Sequence, residues 1–149
     1  MNTRSPLVIA EAGVNHNGDL ALAKEMVGVA AEAKADYIKF QAFRAETLAA
    51  RSAPSADYQQ KNAGVRDQQA LLKALELDLE EFRELSEECA RAEIGFLVTP
   101  FDTDMAAPLV DMGMDRIKVS SGDLTNLPML QDLARLDLPM IVSTGMATE

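Results

Sequence analysis

Short apolar runs alternate with helical patterns along the whole chain, and this alternation restricts the fold more than any other feature. The runs are predicted to be strands at residues 7–13, 37–43, 96–100, 116–121 and 139–144. Every connection between two runs contains a helical pattern, so each strand returns through a helix and the sheet should be parallel. The sequence therefore predicts an α/β fold of five consecutive β/α units.

The predicted helices have apolar residues on one face and capping residues at their starts. They cover residues 19–34, 67–75, 79–93, a segment from 102 or 103 to 112, and a segment that begins at 126. Asp19 is expected to cap the first helix, and Asp102 or Thr103 the fourth. Asn126 followed by Pro128 is a typical helix start. The long polar stretch 44–66 is either a substrate-covering lid or a partly disordered segment.

Composition and charge exclude several classes of protein. The 149 residues are enough for one ordinary domain, and the formal net charge of -10 argues against nucleic acid or an anionic membrane as the main partner. There is no apolar run of membrane-spanning length and no signal-peptide core at the start. The single cysteine, Cys89, suits a reducing cytoplasm, and we interpret it as a packing residue of the third helix rather than a nucleophile. A cytoplasmic protein is predicted.

Two lysines lie inside predicted buried strands. Lys39 is part of YIKFQAF (37–43), and Lys118 is part of RIKVSSGD (116–123). Strands covered on both faces are usually continuous apolar runs, and an unpaired buried ammonium costs several kcal/mol. An anionic ligand near both lysines would account for them. Two alternatives remain open: the lysine stems bend toward water, or Glu11 is a structural ion-pair partner of one of them.

Other polar residues collect at the carboxyl ends of the same strands, where β/α barrels build their active sites. They are Glu11, Gln41, Thr99, Ser121, Asp123 and Ser143. The SSGD (120–123) and STGM (143–146) segments can cradle phosphate oxygens with backbone N–H groups, although such loops are common. The NHNG stretch at 15–18 is interpreted as a turn, and its His16 is the only histidine, so no multi-histidine metal site can be completed here.

Taken in order, six segments closely resemble the sialic acid synthase family, the N-acetylneuraminate synthases. They are IAEAGVNHNGDLALAKEM (9–26), YIKFQAF (37–43), QALLKALEL (69–77), GFLVTPFD (95–102), IKVSSGDLTNLPML (117–130) and PMIVSTGM (139–146). The resemblance implies a TIM-type (β/α)8 barrel that condenses phosphoenolpyruvate with an N-acetylated hexosamine such as N-acetylmannosamine. The product would be a sialic acid or a related nonulosonic acid, and phosphate would be released. It also implies a divalent metal ion, manganese or magnesium, and a homodimer.

The same resemblance assigns roles to the candidate residues. Those expected to hold the phosphate and carboxylate of phosphoenolpyruvate are Lys39, Thr99, Lys118, Ser121 and Ser143. Glu11 would face the reacting carbons, and Gln41 and Asp123 would contact the sugar. Many relatives carry Glu where this chain has Asp123, which leaves the identity of the amino sugar open.

A complete barrel needs eight strands and about 250 residues, whereas five strands are predicted before Glu149. Residues 1–149 are therefore expected to be the N-terminal portion of the catalytic barrel. The later strands, the metal ligands and a C-terminal antifreeze-like domain are expected to be absent. Two other interpretations stay open: a truncated half-barrel that binds a ligand or partner without catalysis, and a Schiff-base barrel aldolase that uses Lys39 or Lys118.

Overall fold

The structure, a computed structural model, describes residues 6–51, 68–145 and 147. Its elements are β1 (Ile9–Gly13), α1 (Leu20–Glu32), β2 (Tyr37–Ala42), α2 (Ala45–Arg51), α3 (Gln68–Leu75), α4 (Leu79–Arg91), β3 (Gly95–Pro100), α5 (Thr103–Asp111), β4 (Ile117–Val119), a 3-10 turn (Ser121–Asp123), α6 (Leu127–Ala134) and β5 (Met140–Val142). The predicted order of strands and helices is confirmed, and α2 is an addition to it. Residues 52–66 of the polar stretch 44–66 lie outside the described ranges, so its two interpretations, a lid or a partly disordered segment, both stay open. No helix within these ranges is long and apolar enough to cross a membrane.

All the observed strand pairs are parallel, as the alternation predicts. β1, β2 and β3 form one sheet with β2 in the centre, and β4 pairs with β5. β3 and β4 lie side by side, but within the described ranges no backbone ladder joins them. β4 is shorter than the predicted strand 116–121 because the chain turns at Ser120, whose hydroxyl accepts a hydrogen bond from Gly122 N.

The two faces of the sheet have different environments. On β2, Ile38, Phe40 and Ala42 are buried, whereas the alternate residues Lys39 and Gln41 are only partly buried. The buried face packs against the apolar sides of the helices, whose fully buried members include Ala23, Val27, Phe82, Leu85 and Leu109. The core therefore lies between the sheet and the helices, and the lysine lies on the other face.

Two of the predicted caps are confirmed, and the third is confirmed in position but not in its side-chain bond. The Asp19 carboxylate accepts from Ala21 N at 2.8 Å, and Asn126 Oδ1 accepts from Met129 N at 3.4 Å. Asp102 occupies the cap position of α5, but its side chain makes no hydrogen bond to that helix. The carboxylate is used elsewhere, as described below.

Cys89 packs in the core on α4, as predicted. Its side chain is buried among apolar neighbours, and burial raises the pKa of the thiol to about 12, with a smaller contribution from Glu88. The thiolate form is therefore scarce at neutral pH, which agrees with a packing role.

Candidate functional site

Four of the predicted site residues lie together on the less buried face of the β1–β2–β3 sheet. Glu11 is the register partner of Lys39, and Gln41 is the register partner of Thr99. Register partners in a parallel sheet project to the same side, so these four side chains share one surface. They are called the β1–β3 cluster below.

Lys39 already has a counter-ion within the β1–β3 cluster. Its ammonium forms an ion pair with Glu11 Oε2 and lies 3.5 Å from Thr99 Oγ1. The Lys39 side chain is 12% exposed, whereas the Glu11 side chain is 49% exposed. The ion-pair alternative for Glu11 is thus realised in the structure. The half-exposed carboxylate still leaves Glu11 accessible from the open side of the sheet.

Lys118 is held differently. Its ammonium donates to Ser143 Oγ at 2.6 Å and to the Val119 carbonyl at 2.7 Å, both neutral acceptors. Within the described ranges no carboxylate lies at ion-pair distance from it. Burial lowers the pKa of Lys118, the positive charge of Lys39 lowers it further, and Glu11 acts in the opposite direction. This ammonium is half-buried, and in the described part of the chain it has no paired anion.

The electrostatic influence of Lys39 and Glu11 on Lys118 indicates that the three-stranded sheet and the β4–β5 pair present these side chains to one region. Two ammonium groups and one carboxylate meet there, in a chain whose net charge is -10. A local excess of positive charge in an acidic protein favours binding of a small anion. Ser143, from the loop after β5, and Thr99 add hydroxyl groups to the same region.

The loops after β4 and β5 approach each other through Ser121. A β-carbon built on Gly145 would lie 3.6 Å from Ser121 Oγ, so the two loops lie close together. Asp123 is partly buried in the 3-10 turn, and within the described ranges its carboxylate makes no hydrogen bond or ion pair with the other candidate residues. The structure therefore places Ser121 beside the loop that follows β5, and the contributions of Ser121 and Asp123 to a binding site stay predictions.

The expected backbone cradle in SSGD is largely occupied by the turn itself. Gly122 N donates to Ser120 Oγ at 3.3 Å, and Asp123 N donates to the Ser120 carbonyl at 3.1 Å. These two N–H groups would have to leave their partners to bind phosphate. Side chains rather than this backbone are thus the better donors for an anion.

Two buried or partly buried carboxylates fix the loop after β2, and the sequence pattern did not indicate this role. Asp102 Oδ2 accepts from Arg44 N at 3.2 Å, and Glu76 Oε2 accepts from Ala45 N at 2.9 Å. The partners are 58 and 31 residues apart in the chain. No local pattern could have indicated either contact.

His16 belongs to the core rather than to the site. It is fully buried beside Phe40, which projects from the face of β2 opposite to Lys39. Its Nδ1 accepts from Gly18 N at 3.0 Å, and Nε2 has no hydrogen-bond partner within the described part of the chain. Burial lowers the pKa of His16, while Glu81 acts more weakly in the opposite direction. The turn predicted at 15–18 is present, and the neutral imidazole packs beneath it.

The described residues do not fit a divalent-metal site. Among them, no group of three or more His, Cys, Asp and Glu side chains is arranged to hold a metal ion. The predicted divalent ion therefore stays a prediction.

Comparisons with known proteins place this arrangement in context. Residues 26–149 match the model of the NeuB family. The chain is 44% identical over 145 residues to N,N'-diacetyllegionaminic acid synthase of Campylobacter jejuni and 49% identical over 140 residues to the enzyme of that name from Legionella pneumophila. These matches cover 97% and 93% of this chain, but only 43% and 39% of the two relatives.

A solved structure has the same fold. The crystal structure of N-acetylneuraminic acid synthetase from Leptospira borgpetersenii, in complex with citrate, superposes with a TM-score of 0.81 at 34% identity. The match covers 97% of this chain and 46% of that one. The chain thus spans less than half the length of the relatives that it matches.

Proposed function

This chain belongs to the NeuB family, and on that premise we propose that it forms the phosphoenolpyruvate-binding part of a synthase. The enzyme would condense phosphoenolpyruvate with an N-acylated amino sugar, release phosphate and yield a sialic acid or a related nonulosonic acid. The names of the relatives support this class of reaction. The observation that carries the proposal is the half-buried Lys118 ammonium, which lies within electrostatic reach of Lys39 without a paired carboxylate in the described ranges.

Phosphoenolpyruvate carries two anionic groups, a phosphate and a carboxylate, and the site offers two sets of donors. Lys118 with Ser143 and Ser121 would bind one group, and Lys39 with Thr99 would bind the other. Charge-assisted hydrogen bonds of this kind are stronger than neutral ones. Held at both ends, the enol carbon would be oriented toward the second substrate.

The second substrate would approach from the open side of the β1–β3 cluster. The enol carbon of phosphoenolpyruvate forms a bond to the aldehyde carbon of the open-chain sugar, and positive charge develops at the adjacent carbon. Glu11, half-exposed beside Lys39, would face that charge. Water then adds to the same carbon, and the tetrahedral intermediate loses phosphate as its C–O bond breaks. Gln41 and Asp123 would contact the sugar, whose identity the proposal leaves open.

The fold extends this proposal. We assign the five strands to the first five β/α units of a (β/α)8 barrel, with the site on its inner face. Parallel pairing and the convergence of Lys39 and Lys118 support the assignment. The homodimer and the divalent metal ion belong to the same proposal, and since the described residues do not fit a metal, no step is assigned to one.

Calorimetric titration of the chain with phosphoenolpyruvate tests the anion site. Lys39→Ala and Lys118→Ala should each weaken binding by about tenfold or more, which corresponds to about 1.4 kcal/mol. Lys24→Ala is the matched control, since Lys24 pairs with Glu84 on the surface between two helices. Unchanged binding in both site variants, with the fold intact by circular dichroism, would overturn the proposal.

A turnover assay tests whether the chain alone can complete the reaction. The chain, incubated with phosphoenolpyruvate, N-acetylmannosamine and manganese, should bind phosphoenolpyruvate without sustained phosphate release, because the described residues offer no metal site. Phosphate release at the rate of a longer relative would show that 149 residues suffice.

A Schiff-base aldolase is the second candidate function, and the lowered pKa of Lys118 is the observation that favours it. An aldolase lysine attacks a carbonyl as the neutral amine. Borohydride treatment in the presence of pyruvate separates the two functions: the synthase should give no covalent adduct. An adduct on Lys118, located by peptide mass spectrometry, would support the aldolase instead.

A further inference from the structure

We propose that Asp102 is a positioning residue of the anion site, which connects the loop after β2 to the end of β3 and thereby holds Lys39 beside Thr99. This inference rests on the proposed function for the identity of the anion, phosphoenolpyruvate. The connection itself is a property of the described residues and can be tested without a ligand.

The position of Asp102 in the chain makes its actual contact unexpected. It lies directly before α5, at the N-cap, with extended backbone angles, φ -122° and ψ 134°, as a capping residue does. A capping carboxylate normally accepts from the backbone N–H groups of its own helix. Asp102 makes no such bond and accepts from Arg44 N at 3.2 Å. Its side chain is nearly buried, with 7% of the residue exposed.

Two further contacts join the same loops. Phe101 N donates to the Ala42 carbonyl at 2.8 Å, which extends the β2–β3 ladder beyond its last register pair. The rings of Phe43 and Phe101 meet edge to face with centroids 6.5 Å apart. Together with the Asp102 bond, three contacts hold the carboxyl ends of β2 and β3 together.

The connection lies close to the site along both strands. Thr99 precedes Asp102 by three residues, and Lys39 precedes Ala42 by three residues. A strand advances about 3.3 Å per residue, so the loop contacts lie about 10 Å from the Lys39–Thr99 pair. The Lys39 ammonium is 3.5 Å from Thr99 Oγ1, at the limit of a hydrogen bond, so a small separation of the strand ends would break it.

A positioning role and a purely electrostatic role of Asp102 predict opposite changes in phosphoenolpyruvate affinity when Asp102 is replaced by alanine. Asp102 is a carboxylate near an anion site, and its removal should by itself favour an anion. If Asp102 acts only through its charge, both Asp102→Asn and Asp102→Ala bind phosphoenolpyruvate more tightly than the unsubstituted chain. A positioning role predicts the reverse for Asp102→Ala and no loss for Asp102→Asn, because the amide oxygen still accepts from Arg44 N.

Hydrogen exchange and titration on the same three proteins test the proposal. In Asp102→Ala, the Arg44 and Phe101 amides should exchange faster relative to the β1–β2 ladder, and the dissociation constant for phosphoenolpyruvate should rise about fivefold or more, from the loss of about 1 kcal/mol of hydrogen bonding. Asp102→Asn should restore both properties to within about twofold. Tighter binding in both variants, or equal loss in both, would overturn the positioning role.

A control separates positioning from general destabilisation. Leu109→Ala removes a fully buried side chain from the same helix without touching the loop contacts, and should lower the melting temperature at least as far as Asp102→Ala does. It should leave phosphoenolpyruvate affinity unchanged. Equal loss of affinity in Leu109→Ala and Asp102→Ala would show that Asp102 acts only through stability.

The proposed function and the positioning role of Asp102 can be tested independently of each other. If the unsubstituted chain does not bind phosphoenolpyruvate, that function is wrong, and the hydrogen-exchange comparison alone decides whether Asp102 holds the two strand ends together. Unchanged exchange of Arg44 and Phe101 in Asp102→Ala would overturn the inference in either case.

Discussion

The Lys118 ammonium donates a hydrogen bond to the Ser143 hydroxyl at 2.6 Å, across the neighbouring strands β4 and β5. The hydroxyl is a neutral acceptor, so it orients the ammonium without cancelling its charge. Burial and the nearby Lys39 lower the pKa of Lys118, and the cation is therefore less stable here than in water. An incoming anion would stabilise it, and the pair is consequently suited to binding rather than to structural support alone.

Removal of the Ser143 hydroxyl should weaken the anion site. Ser143→Ala is expected to raise the dissociation constant for phosphoenolpyruvate by about three- to tenfold, as the loss of about 1 kcal/mol would. Ser86→Ala is the matched control, because Ser86 also uses its hydroxyl in one hydrogen bond, to the Met112 carbonyl at 2.5 Å. Calorimetric titration of both variants measures the difference. Equal affinities in the two would show that Ser143 does not orient Lys118.

The affinity should also depend on pH through Lys118. In the proposed function the protonated lysine binds the anion, and the folded-state pKa of Lys118 lies below the ordinary value of 10.5. Affinity should therefore fall as the pH rises through that lowered pKa, in a range where an ordinary lysine is still charged. Titrations between pH 8 and pH 10.5 with the unsubstituted chain and Lys118→Ala measure this. A Lys118→Ala variant with the same pH profile would contradict the assignment.

Gly18 and Gly28 should respond to alanine in opposite directions. Gly18 has φ +76°, and an added β-carbon would lie 2.2 Å from the Ala74 carbonyl oxygen, so Gly18→Ala should destabilise the fold by more than about 2 kcal/mol. Gly28 lies inside α1 with nothing within 4 Å of an added β-carbon. Gly28→Ala should stabilise the fold by about 0.5–1 kcal/mol.

Urea unfolding of the two glycine variants measures these free energies. A Gly18→Ala variant as stable as the parent would mean that the turn and α3 do not pack as the structure shows.

Features that depend on neighbours in the chain could be predicted from the sequence. The strand and helix order follows from local alternation, and Asp19 and Asn126 cap the helices that they precede because a cap reaches only two or three residues ahead. Most of the candidate residues could likewise be located from the sequence, because they lie in or just after the predicted strands. Contacts across the fold could not be read in this way.

Asp102 shows where local inference stops. Its pattern predicts a cap, and the carboxylate instead accepts from Arg44 N, 58 residues earlier in the chain. The pairing of Lys39 with Glu11 and of Lys118 with Ser143 likewise depends on which strands are neighbours. The length of a strand was also hard to predict. β4 ends early because the Ser120 hydroxyl accepts from Gly122 N and favours a turn over a longer strand, which apolar patterning does not reveal.

Cys89 should be unreactive toward iodoacetamide in the native protein. Its thiol is buried and its pKa is raised to about 12, so the reactive thiolate is scarce at pH 8. In urea above the unfolding transition the alkylation rate should approach that of a free cysteine. Mass spectrometry at timed intervals measures both rates, and rapid native alkylation would contradict the burial of this thiol.

His16 should make the fold sensitive to acid. Its Nδ1 accepts from Gly18 N, and a protonated imidazole has no acceptor, so protonation breaks that bond. Burial lowers the pKa of folded His16 below 6.5, and therefore the unfolded chain binds more protons in the window between the two values. The free energy of unfolding should rise with pH through this window. The stabilisation from neutral His16 is fully present above pH 6.5 and is lost as the pH falls from 6.5 to the folded-state pKa. Its size is about 1.4 kcal/mol for each pH unit between those two pKa values.

The titration of His16 can be followed without ambiguity, because it is the only histidine in the chain. Its ring proton resonance should titrate below pH 6.5, and urea unfolding at pH 5 and pH 8 should show a larger difference in the parent than in His16→Asn. The asparagine variant retains an acceptor for Gly18 N but has no charge to gain, so the carboxylates that titrate in both proteins cancel in the comparison. A resonance that titrates at or above pH 6.5, or equal pH dependence in the two proteins, would show that the imidazole is not held neutral beneath the turn.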